Sequence, residues 1–143
     1  MGERRAALVT GSTSGIGLGI ATAFAKAGMD VTLNGLGDVA EIEKIRSGLE
    51  KEAGVTVRYD GANLMQPDAC VALVDGAITA FGRIDVLVNN AGIQHVSPIE
   101  DFPVEKYNAI IALNLSSAFH TIRAAMRSMK AAKYGRIINI ASA

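Results

Sequence analysis

The residues best suited to chemistry begin at Thr10-Gly11-Ser12-Thr13-Ser14-Gly15-Ile16-Gly17, where three glycines stand at relative positions 1, 5 and 7 with three hydroxyls among them. Glycines let a backbone turn tightly and approach a pyrophosphate closely. A helix that starts there offers unpaired N–H groups and a partial positive charge. An ordinary glycine turn with Ser or Thr capping the helix would use the same residue types. The spacing is not G-x-G-x-x-G, and no Gly-Lys-Ser/Thr follows, which disfavours a nucleoside triphosphatase.

Three further stretches carry polar groups in apolar surroundings. Asn34-Gly35-Leu36-Gly37-Asp38 follows an apolar run, where a dinucleotide site has an acid for the adenosine ribose or a cation for a 2′-phosphate. Asn34 stands at the expected acid position, and Asp38 reads as a helix cap. No Lys or Arg is present to neutralise a phosphate, so the expected cofactor is NAD rather than NADP. Asn89-Asn90-Ala91-Gly92 follows another apolar run, and Asn114, a poor helix former, interrupts a long helical pattern. His95 and His120 are far apart in sequence and read as surface or packing residues, with no metal site expected. Cys70 reads as an inert packed thiol.

The elements that must position these groups alternate. Apolar runs at residues 6–9, 31–33, 55–59, 86–88 and 136–140 read as strands. Between them lie helical patterns: Ile16, Ile20, Phe24 and Ala27; then Ile42, Ile45 and Leu49, ended near Gly54; then Val71, Val74, Ile78 and Phe81 after Pro67, closed by Gly82; and last Leu115, Ala118, Ile122, Ala125 and Met129. Strands without polar alternation, each separated by a helix, require a parallel sheet covered on both faces. The expectation is an α/β, doubly wound Rossmann-type sheet of order 3-2-1-4-5, with residues 1–143 forming one domain. In that order the glycine turn and the segment after the fourth strand converge at the topological switch point.

Composition narrows the ligand. Half of the 143 residues are apolar, and 14 Lys and Arg balance 14 Asp and Glu. No excess of one sign favours nucleic acid or an anionic membrane, so the expected partner is a small molecule. A single cysteine and the lack of a transmembrane-length apolar run suggest a cytoplasmic protein.

The turn Thr10 to Gly17, the run Asn89-Asn90-Ala91-Gly92, Asn114 and the stretch Asn139-Ile140-Ala141-Ser142 together resemble the short-chain dehydrogenase/reductase family over essentially the whole chain. The resemblance implies a cofactor site built from Gly11, Thr13, Ser14, Gly15, Ile16, Gly17, Leu36, Ala62, Asn63, Leu64, Asn90, Ala91 and Gly92. Asn63 stands where the family commonly has an aspartate beside the adenine, and its amide oxygen can still accept from the adenine amino group. The loop Gly92 to Pro103 is similar to the substrate-side loop of bacterial members acting on 3-hydroxybutyrate, as is Asn34 to Asp38. That likeness implies Gln94 as the substrate carboxylate ligand. Asn114 would hold a kink whose carbonyl binds a relay water, and Ser142 would position the reacting oxygen. The implied reaction is NAD-dependent interconversion of 3-hydroxybutyrate, a small hydroxy acid, and acetoacetate, its oxo acid. The helix ending near Met129 would suit the helix-pair interfaces of a homo-tetramer.

The family's general base is a tyrosine with a lysine four residues on. Tyr59, Tyr107 and Tyr134 have Asn63, Ile111 and Ile138 at that spacing, so the chain holds no Tyr-x-x-x-Lys. The final strand is apolar on both faces with nothing after it to shield its edge, which suggests an N-terminal portion of a longer enzyme, inactive alone, with a sheet incomplete at that edge. Two alternatives share these features: a reductase of another substrate, such as a 3-oxoacyl thioester or sugar alcohol, and a non-catalytic nucleotide-binding subunit whose edge a partner completes.

Overall fold

In the computed structural model, residues 4–142 are described. Five parallel strands, β1 (Ala6–Val9), β2 (Asp30–Asn34), β3 (Val57–Asp60), β4 (Val86–Asn89) and β5 (Arg136–Asn139), lie in the order β3-β2-β1-β4-β5. The order matches the expectation. Between them run α1 (Gly15–Lys26), α2 (Val39–Ala53), α3 (Pro67–Phe81), α4 (Val104–Ile110) and α5 (Ser117–Ala132), with a π-helical turn at Ile111–Ser116 joining the last two.

The absence of polar alternation in the strands has its cause in two cores. Ala7 and Val9 of β1 point to one face, where they pack with Val31, Leu33, Ala21 and Ala25 under α1 and α2. Leu8 points to the other, against Leu73, Val74, Leu87 and Ala125 under α3 and α5. A strand buried on both faces needs apolar side chains at every position. The edge strands are the exceptions: β3 is half-buried from Arg58 to Asp60, and Ile138 of β5 and Ile140 just beyond it are about two-fifths exposed.

The helix punctuation follows the sequence. The Asp38 carboxylate accepts the Glu41 N–H at 2.9 Å, capping α2, and Gly54 ends it with φ 69°. Pro67 opens α3 and Gly82 closes it with φ 74°. Cys70 is fully buried; its thiol donates to Leu64 O, and burial pushes its pKa up, as fits a packed thiol.

Several helix faces are rotated from the expected ones. Ile16 is exposed, and α1 packs through Gly17, Ala21 and Ala25, with Ile20 and Phe24 alongside. Helix α3 is buried along Cys70, Leu73, Val74 and Ala77. Leu115 is also exposed, because the wide turn at Ile111–Ser116 puts it out of phase with the buried stripe Ser117, Thr121, Ala125 and Met129. β3 begins later than expected: Val55 is buried but precedes the strand, and Thr56 ties to Asp30 through its N–H. β5 ends at Asn139, although the Ile140 N–H still bonds Asn89 O.

At the N-terminal ends of the strands Asp85 is buried. It accepts two hydrogen bonds from Arg83, at 2.7 and 2.8 Å, and one from the Ala6 N–H at 2.8 Å. Burial pushes its carboxyl up, but those bonds and the charges of Arg83 and Arg5 outweigh it and hold the pKa below the ordinary value. The folded pKa is thus the lower one, so the stabilisation is complete above the unfolded value of about 3.9 and is lost as pH falls through the folded value. Urea unfolding against pH should show a loss of roughly 2 kcal/mol below about pH 4 that Asp85→Asn lacks. An unchanged acid limb in the variant would assign the loss to other carboxylates.

Candidate functional site

The carboxyl ends of β1, β2 and β4 surround a cleft of about 380 Å³ beside the point where the strand order reverses. Its lining includes Gly11, Thr13 and Ser14 from the first turn, Asn34, Gly35 and Leu36 after β2, and residues 62–65 after β3. Asn90, Ala91, Gly92 and Ile93 after β4 and Leu113 complete it. None of these lining residues carries a charge.

The glycine turn is built for close approach. Gly11 has φ 58° and Gly15 φ 57°, the left-handed region that other residues enter at a cost. A Cβ on Gly11 would lie 2.9 Å from the Cα of Ala91, and one on Gly17 would lie 2.2 Å from Gly11 O. Helix α1 therefore sits directly against the turn and the segment after β4. Ser14 stands at its N-cap without a side-chain hydrogen bond to the helix, so the first-turn N–H groups have no capping hydroxyl. That separates this turn from an ordinary capped one and suits a pyrophosphate.

Thr10 and Asn90 join the two motifs. The Thr10 hydroxyl accepts the N–H groups of Asn90 and Ala91, each at 2.9 Å, while the Asn90 amide donates to the carbonyls of Thr10 and Gly11. Beside them Asn89 accepts from the Thr121 hydroxyl at 2.6 Å and donates to Asn139, tying β4 to α5 and β5.

Asn34, at the position where an acid was expected, serves the fold. It is 2% exposed and turned inward, donating to the carbonyls of Asp60 and Ala62 at 3.0 and 3.1 Å and accepting the Gly11 N–H at 3.2 Å. It therefore organises three loops and has no amide N–H left to offer a ribose. The residue presented at the cleft edge is Gly35, whose carbonyl is held by the Tyr59 hydroxyl.

Asn114 makes a two-point clamp on the loop after β4: its Oδ1 accepts the Ile93 N–H at 2.9 Å, and its Nδ2 donates to Ile93 O at 2.8 Å. The π-helical turn carries Asn114, as the sequence irregularity suggested. The clamp fixes the residue next to Gln94.

Of the expected cofactor residues, Gly11, Thr13, Ser14, Leu36, Ala62, Asn63, Leu64, Asn90, Ala91 and Gly92 line the cleft. Gly15, Ile16 and Gly17 do not; they shape the turn behind it. Asn34, Gly35, Met65, Ile93 and Leu113 line it and were not among those expected. Asn63 spends one lone pair of its side-chain oxygen on the Met65 N–H at 3.1 Å, which leaves the other lone pair to accept. Gln94 and Ser142 are exposed, and neither lines the cleft. His95 and His120 make edge-on ring contacts with Phe102 and Phe119. Among the described residues no group of three His, Cys, Asp or Glu could hold a metal ion, and no helix is long and apolar enough to cross a membrane.

Residues 5–143 match the family described as short chain dehydrogenase. The chain belongs to this family. The D-beta-hydroxybutyrate dehydrogenase of Cupriavidus necator is 51% identical over 140 residues, covering 96% of this chain and 53% of the relative. Among solved structures, a metagenomic short-chain oxidoreductase in complex with NADP superposes with TM-score 0.89 at 36% identity, over 96% of this chain and 62% of that one. NAD+-bound xylitol dehydrogenase superposes with TM-score 0.87 at 34% identity, over 96% and 53%. The chain thus spans about half the length of the curated relatives it matches.

Proposed function

We propose that this chain is the cofactor-binding portion of an NAD-dependent dehydrogenase that interconverts 3-hydroxybutyrate and acetoacetate. The observation that carries the reading is the uncharged cleft at the switch point, closed on one side by a glycine turn with no room for a Cβ and an uncapped helix N-terminus. NAD, when bound, accepts the hydride that leaves the hydroxyl-bearing carbon. In this reading Gly11, Ser14 and the α1 N-terminus hold the pyrophosphate, Thr13, Leu36 and residues 62–64 hold the adenosine, and Asn90 to Gly92 line the path toward the nicotinamide.

The lack of any Lys or Arg in the lining favours NAD over NADP, since a 2′-phosphate would enter unpaired. The identity to D-beta-hydroxybutyrate dehydrogenase supports the small hydroxy acid as substrate, with the neutral donors of Gln94 toward its carboxylate. Asn114 would serve by clamping the Gln94 loop and by its carbonyl in the widened turn, and Ser142 by orienting the reacting oxygen. Exposed Leu115, Phe119 and Met126 along α5 and the turn before it support a homo-tetrameric helix-pair interface. The balanced charge and soluble composition fit a cytoplasmic enzyme.

In this reading the general base for the substrate hydroxyl is a Tyr-x-x-x-Lys pair, which these 143 residues do not contain. The purified chain should bind NAD, seen by calorimetry, and form essentially no NADH when 3-hydroxybutyrate is added. NADH production at an enzyme-like rate would refute the inactivity, and NADP bound more tightly than NAD would refute the cofactor preference.

A further inference from the structure

Gly35 follows the last residue of β2 and lines the cleft, yet its φ does not lie in the left-handed region, so the backbone there does not require glycine. Space does. A Cβ on Gly35 would lie 2.2 Å from Thr13 Oγ1, 2.9 Å from Thr13 Cγ2 and 3.1 Å from Thr13 Cβ. Both branches of the threonine fill the volume into which any side chain at position 35 would grow, and turning χ1 leaves the Cβ contact in place. The Thr13 hydroxyl itself makes no hydrogen bond to the described residues and lines the cleft beside Gly35 and Leu36.

We infer that Thr13 and Gly35 form a mutually exclusive pair, in which the Thr13 hydroxyl stands where an acidic side chain at the end of β2 would otherwise bind the adenosine ribose. The inference rests on the NAD reading for its ligand but not for its steric half. Asn34 is held away from the contact, because both its amide N–H groups donate to Asp60 and Ala62 and its oxygen accepts from Gly11, which fixes a 2% exposed side chain inward. A hydroxyl can donate to or accept from a ribose hydroxyl, and the cleft offers no charged group to do so. The chain therefore recognises the ribose through a neutral contact, and an acid cannot be installed at position 35 until Thr13 is removed.

Thr13→Val keeps the shape and removes the hydroxyl. It should weaken NAD binding about fivefold to tenfold, the worth of one neutral hydrogen bond, while the NAD analogue deoxygenated at either the 2′ or the 3′ carbon of the adenosine ribose binds the native chain and the variant equally. A variant that weakens NAD and both deoxy analogues by the same factor would overturn the ribose contact, since general damage to the cleft does not distinguish them. The steric half is read by melting without ligand. Gly35→Ala should lower the unfolding midpoint by about 5 °C or more, and Thr13→Ala in the same chain should recover most of the loss. Gly35→Ala melting at or above the native midpoint with Thr13 in place would overturn the exclusion. A native chain that binds neither NAD nor its deoxy analogues would defeat the cofactor reading and the ribose contact together, leaving the melting result to judge the pair.

Discussion

Asn34→Asp should destabilise the chain by about 3 to 5 kcal/mol at neutral pH and should not improve NAD binding. The substitution looks like a repair, since an acid near the end of the second strand is the usual partner of an adenosine ribose. In this fold it is the reverse. The Asn34 amide donates two hydrogen bonds, to the carbonyls of Asp60 and Ala62, from a side chain only 2% exposed. A carboxylate there would turn both donors into an anionic oxygen facing two carbonyl oxygens at about 3 Å, with only the Gly11 N–H to offset it. No cation lines the cleft beside it. The folded protein would resist ionisation, so the folded pKa of the new acid lies above its unfolded value. The penalty is therefore smallest in acid, where a protonated oxygen can still donate once, and grows as pH rises past about 4. In a chain of this size the neutral-pH loss corresponds to a fall of about 10 °C or more in the unfolding midpoint. Urea unfolding at pH 4 and pH 7 tests both the size and the sign. A variant within 1 kcal/mol of the native chain at both pH values, and tighter on NAD, would mean that residue 34 turns outward and that the ribose subsite has been misread.

The inward turn of Asn34 bears on what was legible and what was not. Strand positions were readable because each central strand is a short, mostly apolar run, and the caps at Asp38, Gly54, Pro67 and Gly82 stand where their chemistry requires. That same uniformity hides the direction of each side chain. In β2 four of five residues are buried, so no alternation tells that the Asn34 amide turns inward and that Gly35 packs on Thr13 at the cleft. Helix faces suffered similarly: α1 and α3 are apolar on most sides, and their buried stripes were misplaced by about one residue. For Leu115 the cause is local, since a π-helical turn breaks the 3.6-residue period from which the stripe was drawn. The convergence of Thr10 to Gly17 with Asn89 to Gly92 was legible, because it follows from strand order alone. Met65, Ile93 and Leu113 were not, since they reach the cleft through loop and helix geometry that no local pattern encodes. Gln94 and Ser142 were named through family resemblance, and both stand exposed outside the cleft lining, where no burial pattern marks them.

Gly17→Ala should cost about 2 to 4 kcal/mol and weaken NAD binding more than tenfold, although alanine is the best helix former and position 17 lies within α1. Propensity alone predicts a gain of about 0.5 to 1 kcal/mol. The contact decides otherwise: the new methyl would stand 2.2 Å from Gly11 O and 2.5 Å from Asn90 Nδ2. Neither atom can yield cheaply. Gly11 O is backbone in a left-handed turn packed against Ala91, and the Asn90 amide holds the carbonyls of Thr10 and Gly11 at 3.1 and 3.0 Å. Relief therefore means either moving α1 outward, which widens the cradle, or breaking the Asn90 bridge, which leaves buried carbonyls unpaired. Both routes damage the same cleft, so stability and affinity should fall together. Gly19 supplies the internal control: it lies in the same helix with nothing within 4 Å of its would-be Cβ, so Gly19→Ala should gain the propensity increment and leave NAD binding unchanged. If urea unfolding and calorimetry found the two variants alike, the close packing of α1 on the turn would not be what shapes the cofactor cleft, and the glycines would be serving only the flexibility of the loop.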